Sequence, residues 1–144
     1  MQLTPLVDRC NSWIRQANRY HNQSVVNPIA AVRFEEPICV GQTPRIAARL
    51  LDFEISSMLQ PVFDPNAREV VGYEASLWVT RSNRELASSG LFESVTTLRE
   101  LIHLDRLCHA LHALNFVAQG ARGFLFCNVH PRLLTGVAEA HSRA

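Results

Sequence analysis

The order of segments predicts an α/β fold in which strands are covered by helices. Three observations carry this. Two extended runs, "SMLQPVFD" and "VVGYEASLWV", flank the turn-forming "PNARE" and read as a hairpin-like unit. A long stretch with helical periodicity follows them. Then comes "FLFCNV", a short and nearly continuous apolar run of the type buried on both faces of a parallel sheet.

The elements can be justified in order. Over residues 3–21, Leu3, Leu6, Val7, Cys10, Trp13, Ile14, Ala17 and Tyr20 recur at steps of three and four and make one apolar stripe, which predicts an amphipathic helix. The next segment, "VVNPIAAVRFEEPICV", holds two prolines that oppose helix and favour short extended pieces. Thr43 and Pro44 form a helix-start signature, so a second helix is expected through "RIAARLLDFEI". After the hairpin, "TRSNRELASSG" is polar and reads as loop. The long helical stretch covers 91–120, is interrupted near Thr97, and buries Leu104, Leu107, Cys108, Leu111 and Leu114. Gly120 and Gly123 end it. The last segment, "HPRLLTGVAEAHSRA", reads as loop and helix.

Composition narrows the function classes. The 144 residues suffice for one domain with a real core, 47% are hydrophobic, and mean hydropathy is near zero. No apolar run approaches the roughly 20 residues of a membrane-spanning helix. Asp8 and Arg9 interrupt the N-terminal apolar pattern, which excludes a secretory signal there and makes a cytoplasmic location the expectation. Net charge is +1 with mixed signs, so a nucleic-acid polymer is not an expected partner. The 14 basic residues are all arginine, and any mechanism using a lysine of this chain is excluded. Cys10, Cys39, Cys108 and Cys127 form no C-x-x-C pair and are expected as free thiols.

Three polar residues stand at or beside the ends of apolar strands, where α/β folds build sites: Gln60, Glu74 and Asn128. A carboxylate and an amide oxygen are hard ligands suited to Mg²⁺, Mn²⁺ or Ca²⁺. Spacing alone leaves two readings of Glu74 open, a metal ligand or an outward-facing strand residue. His109 and His112 share the expected polar side of the long helix with Asp105. They read as a metal trio or as a solvated face with an Asp105–His109 pair. Ser76 has no "GxSxG" context and is not a nucleophile candidate. Trp13 and Trp78 read as packing residues, and Trp78 would stack on a base if it faced a site.

"LQPVFDPNAREVVGYEASL" resembles the opening of an EAL domain, the family of bacterial cyclic di-GMP phosphodiesterases, whose form is "xQPIxD…GxxVGxEALxR". "LRELIHLDRLCHALHAL" resembles the family's first long helices, and "FLFCNVHPRLL" the strand and turn written "lxvNlSPxxL". The resemblance covers roughly residues 44–134. It implies the N-terminal portion of an EAL-type (β/α)8 barrel over 44–144, preceded over 1–43 by the amphipathic helix and an extended linker. It implies that Glu74 and Asn128 are metal ligands for Mg²⁺ or Mn²⁺ and that Gln60 contacts substrate. It implies a phosphodiesterase of metal-assisted type, opening cyclic di-GMP to linear pGpG.

The departures from the family pattern set a second expectation. The motif reads Glu74-Ala75-Ser76, a phosphate-holding Arg is replaced by Trp78, and His130 stands where the family has Ser. A Trp lacks the forked donors of a phosphate clamp. A barrel of typical size needs roughly 250 residues. The "DDF" motif and the lysine of the family are absent from this sequence. The chain alone is therefore expected to be a cyclic di-GMP signalling protein without catalysis. The alternative is a degenerate interaction module that binds no nucleotide. A partial barrel leaves strand edges open, so self-association or a protein partner is expected.

Overall fold

The computed structural model describes residues 33–34, 38–40, 43–50 and 52–142, with side chains from 45 to 136, and helical backbone at Pro5, Asp8, Arg9 and Ser12. Apart from those four positions, the helix expected over 3–21 lies outside the described residues, as does the segment 22–32. The elements are β1 (Arg33–Phe34), β2 (Ile38–Val40), β3 (Thr43–Arg45), β4 (Ala48–Leu50), β5 (Phe53–Asp64), β6 (Glu69–Arg81), β7 (Arg84–Leu86), α1 (Ser88–Glu93), α2 (Leu98–Ala118), β8 (Phe124–Cys127) and α3 (Pro131–Ser142). The class is mixed α/β, as the segment order predicts. Among the described residues the sheet is open and mostly antiparallel, in the order β1-β4-β5-β6-β7, with β8 joined parallel to β6. A separate antiparallel pair is formed by β2 and β3.

The long hairpin of β5 and β6 is the frame. Its turn is built by Asp64, whose carboxylate accepts from the backbone N–H of Asn66 (2.8 Å) and Ala67 (3.3 Å), while Arg68 adopts φ 56° and donates to the Asp64 carbonyl at 2.8 Å. A two-residue turn at Ser82 and Asn83, both with positive φ, then folds β7 back on β6.

The helix expected through 43–55 is a correction. Residues 43–45 and 48–50 are strands, and Ala48 and Leu50 pair with Ile55 and Phe53 of β5. Local propensity favours helix in "RIAARLL", but pairing with a twelve-residue strand and burial of Ile46, Ala48 and Leu50 prevail.

Helix α2 begins with a reciprocal cap. Thr97 Oγ1 accepts from Glu100 N, and Glu100 accepts from Thr97 N at 3.0 Å. It ends in a Schellman arrangement: Gly120 at φ 65° donates to Val117 O and Ala121 to Phe116 O, each at 3.1 Å. All five leucine and cysteine positions expected on its inner face are buried. They pack on Ile46, Ile55 and Val79 of the sheet, with Leu91 and Val95 closing one end.

Strand β8 corrects a second expectation. It is parallel to β6, but its burial alternates: Phe124 is 69% and Phe126 45% exposed. Helix α2 covers one face of the sheet; on the other, Arg45 of β3 lies over Trp78 and Ser56 is buried, while Gln60, Glu74, Phe124 and Phe126 are exposed. No described helix is long and apolar enough to cross a membrane.

Candidate functional site

The exposed part of the sheet face turned away from α2 gathers the three residues singled out in the sequence. Gln60 lies directly opposite Glu74 across the β5–β6 ladder, and directly opposed residues project to the same face. Glu74 is in turn the partner of Phe126 in β8. Asn128 follows the end of β8 and donates its amide Nδ2–H to Glu74 Oε1 at 3.0 Å. The three side chains are exposed, and Met58 and Phe126 flank them as apolar neighbours.

The donor set can be tested against a divalent cation. Hard cations take about six oxygen ligands. The trio brings one carboxylate, and Asn128 turns its amino group, not its oxygen, toward that carboxylate. Among the described residues no group of three or more His, Cys, Asp or Glu is placed to hold a metal. As arranged, these residues do not make a metal site by themselves.

Trp78 shares the face of Glu74, four residues further along β6. It does not simply pack. The Arg45 guanidinium lies over its ring, 3.6 Å from the centroid. Burial lowers the Arg45 pKa from its ordinary value, with Glu54 opposing that shift.

A cleft of 490 Å³ lies between α1, α2, the middle of β6 at Ala75–Leu77 and the β8–α3 turn, and Asn128 lines it as well as reaching Glu74. Asp105, His109, His112 and His130 line it, with Ala75, Leu77 and Phe92 as apolar wall. His130 stacks on Phe92 with ring centroids 4.8 Å apart and accepts at Nδ1 from Arg132 N. His109 keeps the expected contact with Asp105, Nδ1 to Oδ2 at 3.2 Å, and also reaches the Asp105 carbonyl at 2.8 Å.

His112 does not belong to a solvated face. It is 6% exposed, and its Nδ1 meets the buried Ser57 Oγ at 2.6 Å. The imidazole tautomer of His112 sets which of the two groups donates in this bond. Burial, then the nearby His109, pushes the His112 pKa down to about 4. Burial likewise raises the Cys108 thiol to about 12, which makes it an inert core residue.

Sequence reasoning missed Ser57, His112 and Asn115 as a buried polar group. A signal existed. His112 and Asn115 continue the three- and four-residue spacing of Leu104, Cys108 and Leu111, so the period places them inward.

Comparison of the chain with models of known protein families, with curated proteins and with solved structures finds no match.

Proposed function

We propose that this chain is a cyclic di-GMP signalling protein of EAL type that recognises the nucleotide without hydrolysing it, using the face formed by Gln60, Glu74 and Asn128. One observation carries the reading. The three residues that the EAL resemblance selects, scattered from 60 to 128, come together on one exposed sheet face, with Asn128 bonded to Glu74 at 3.0 Å. The absence of hydrolysis follows from chemistry. A two-metal phosphodiesterase must hold both ions and activate a water, and one carboxylate with one amide cannot do so.

Isothermal titration of the chain with cyclic di-GMP in Mg²⁺ tests the reading, with chromatography of the mixture for linear pGpG. Binding in the micromolar range without product is expected. Product formation by the pure chain would overturn the non-hydrolytic part.

A second reading has its own support. Met58 (51% exposed), Phe124 and Phe126 form apolar surface around the polar trio. A module that pairs with a second copy of itself through this face and the free edge of β8 needs no nucleotide. Self-association with no heat of nucleotide binding would favour it.

A further inference from the structure

Arg45 is an unusual surface arginine. Its guanidinium carbon lies over the Trp78 ring, 3.6 Å from the centroid, and among the described residues no group accepts a hydrogen bond from it. Glu54 acts on it only as a nearby charge and forms its own contact with Arg49 at 3.9 Å. A guanidinium stacked on an aromatic ring keeps its in-plane N–H donors directed outward, in the fork that matches a phosphate.

The base of this side chain is fixed. Ile46, the next residue, is 0% exposed and held by three side-chain hydrogen bonds. Asn115 Oδ1 accepts from Ile46 N (3.0 Å), Asn115 Nδ2 donates to Ile46 O (2.9 Å), and Ser56 Oγ donates to the same oxygen (2.8 Å). Ser56 is also the cross-strand partner of Trp78, so the clamp and the stacking ring share one rung of the ladder. A cation positioned in advance loses less entropy on capturing an anion. Trp78 and Glu74 project to one face about 13 Å apart along the strand.

We infer that Arg45, laid on Trp78 and anchored through Ile46, is the phosphate-binding cation of the Gln60–Glu74–Asn128 face. The inference rests on the nucleotide reading above. It assigns the anion contact to a residue that enters from β3, outside the hairpin that carries Gln60 and Glu74. The ligand chemistry is a phosphate diester or monoester attached to a base, with the phosphate at Arg45 and the base edge at the amides.

The test uses the full chain with Trp13→Phe, which leaves Trp78 as the sole tryptophan of the two. Cyclic di-GMP, GMP and inorganic pyrophosphate are titrated while Trp78 emission is followed. Cyclic di-GMP is expected to change the emission, and Arg45→Ala to weaken its binding about 10- to 100-fold. Arg45→Lys keeps the charge but loses the fork and is expected to fall between the two. It also guards against loss of fold in the alanine variant. If cyclic di-GMP binds the parent and both variants equally, the inference is overturned and the nucleotide reading stands. If cyclic di-GMP fails to bind while pyrophosphate or GMP binds in an Arg45-dependent way, the anion site stands and the cyclic dinucleotide reading is overturned. If none of the three probes binds, both are overturned.

Discussion

Ser57 in β5 and His112 in α2 are joined side chain to side chain at 2.6 Å, both almost fully buried, across the main sheet–helix interface. The bond ties the longest described helix to the central hairpin through a titratable group. His112 is held neutral, with its pKa pushed down to about 4 by burial and by His109. Because the folded value is depressed, the unfolded chain takes up this proton first, at the ordinary pKa of about 6.5. Stability is therefore flat above that value and falls as pH drops through the window toward 4, by up to about 1.4 kcal/mol per pH unit. Urea midpoints measured between pH 7.5 and pH 4.5 check this. Wild type should lose stability faster than His112→Gln over the acid half of that range. Parallel curves would show that His112 is not the titrating group.

Asn115 offers a sharper test of the packing. It is 0% exposed and satisfies Ile46 N, Ile46 O and Leu111 O together. Asn115→Leu keeps the volume but orphans the buried Ile46 N–H, at a cost of about 1–3 kcal/mol. Asn115→Asp retains the acceptor while burying a charge beside two carbonyl oxygens. It should be the worse variant at neutral pH and recover in acid as the carboxyl is neutralised. Thermal melts of the two variants at pH 7 and pH 5 decide the matter. An aspartate variant as stable as the leucine variant at neutral pH would mean the site is wetter than the structure places it.

These two residues also show how far the sequence could be read. The hairpin was legible because alternation and the Asp64–Arg68 turn agree. The inner face of α2 was legible because five apolar residues keep one period. The strands at 43–50 were not, since their local composition favours helix and only pairing to β5 makes them extended. The Gln60–Glu74–Asn128 face was named from strand ends and resemblance, yet the turning of the Asn128 amino group toward Glu74 is a tertiary fact. The placement of Arg45 over Trp78 was illegible because it depends on where Ile46 is clamped, through contacts to Asn115 that span 69 positions.

The approach of β8 to β6 depends on a glycine. A side-chain Cβ at Gly72 would collide with the backbone of Phe124, its partner in the ladder, so the strands could not keep their register. Gly72→Ala is expected to separate β8 from β6 and thereby part Asn128 from Glu74. Amide exchange at 124–127 should become fast, and nucleotide binding should fall even though no residue of the face has changed. Gly90→Ala is the control, because a Cβ there meets nothing within 4 Å. Unchanged protection at β8 in the Gly72 variant would refute the proposed tight approach.

The free edge of β8 leads to the last expectation. One side of β8 is hydrogen-bonded to β6, and among the described strands none pairs with the other side. Phe124 and Phe126, at 69% and 45% exposed, stand on this strand facing away from α2. An unpaired edge bearing aromatic surface invites another strand, and proteins that stay monomeric usually blunt such edges with charge. The edge of "FLFC" carries none. The chain is therefore expected to self-associate as its concentration rises, with β8 pairing to β8 of a second copy. Light scattering across a wide concentration range reads the mass directly. Phe126→Lys places a charge on the exposed face of that strand, beside Glu74, and should shift the equilibrium toward monomer without lowering the melting temperature. A wild-type chain that remains monomeric at every concentration would overturn this expectation.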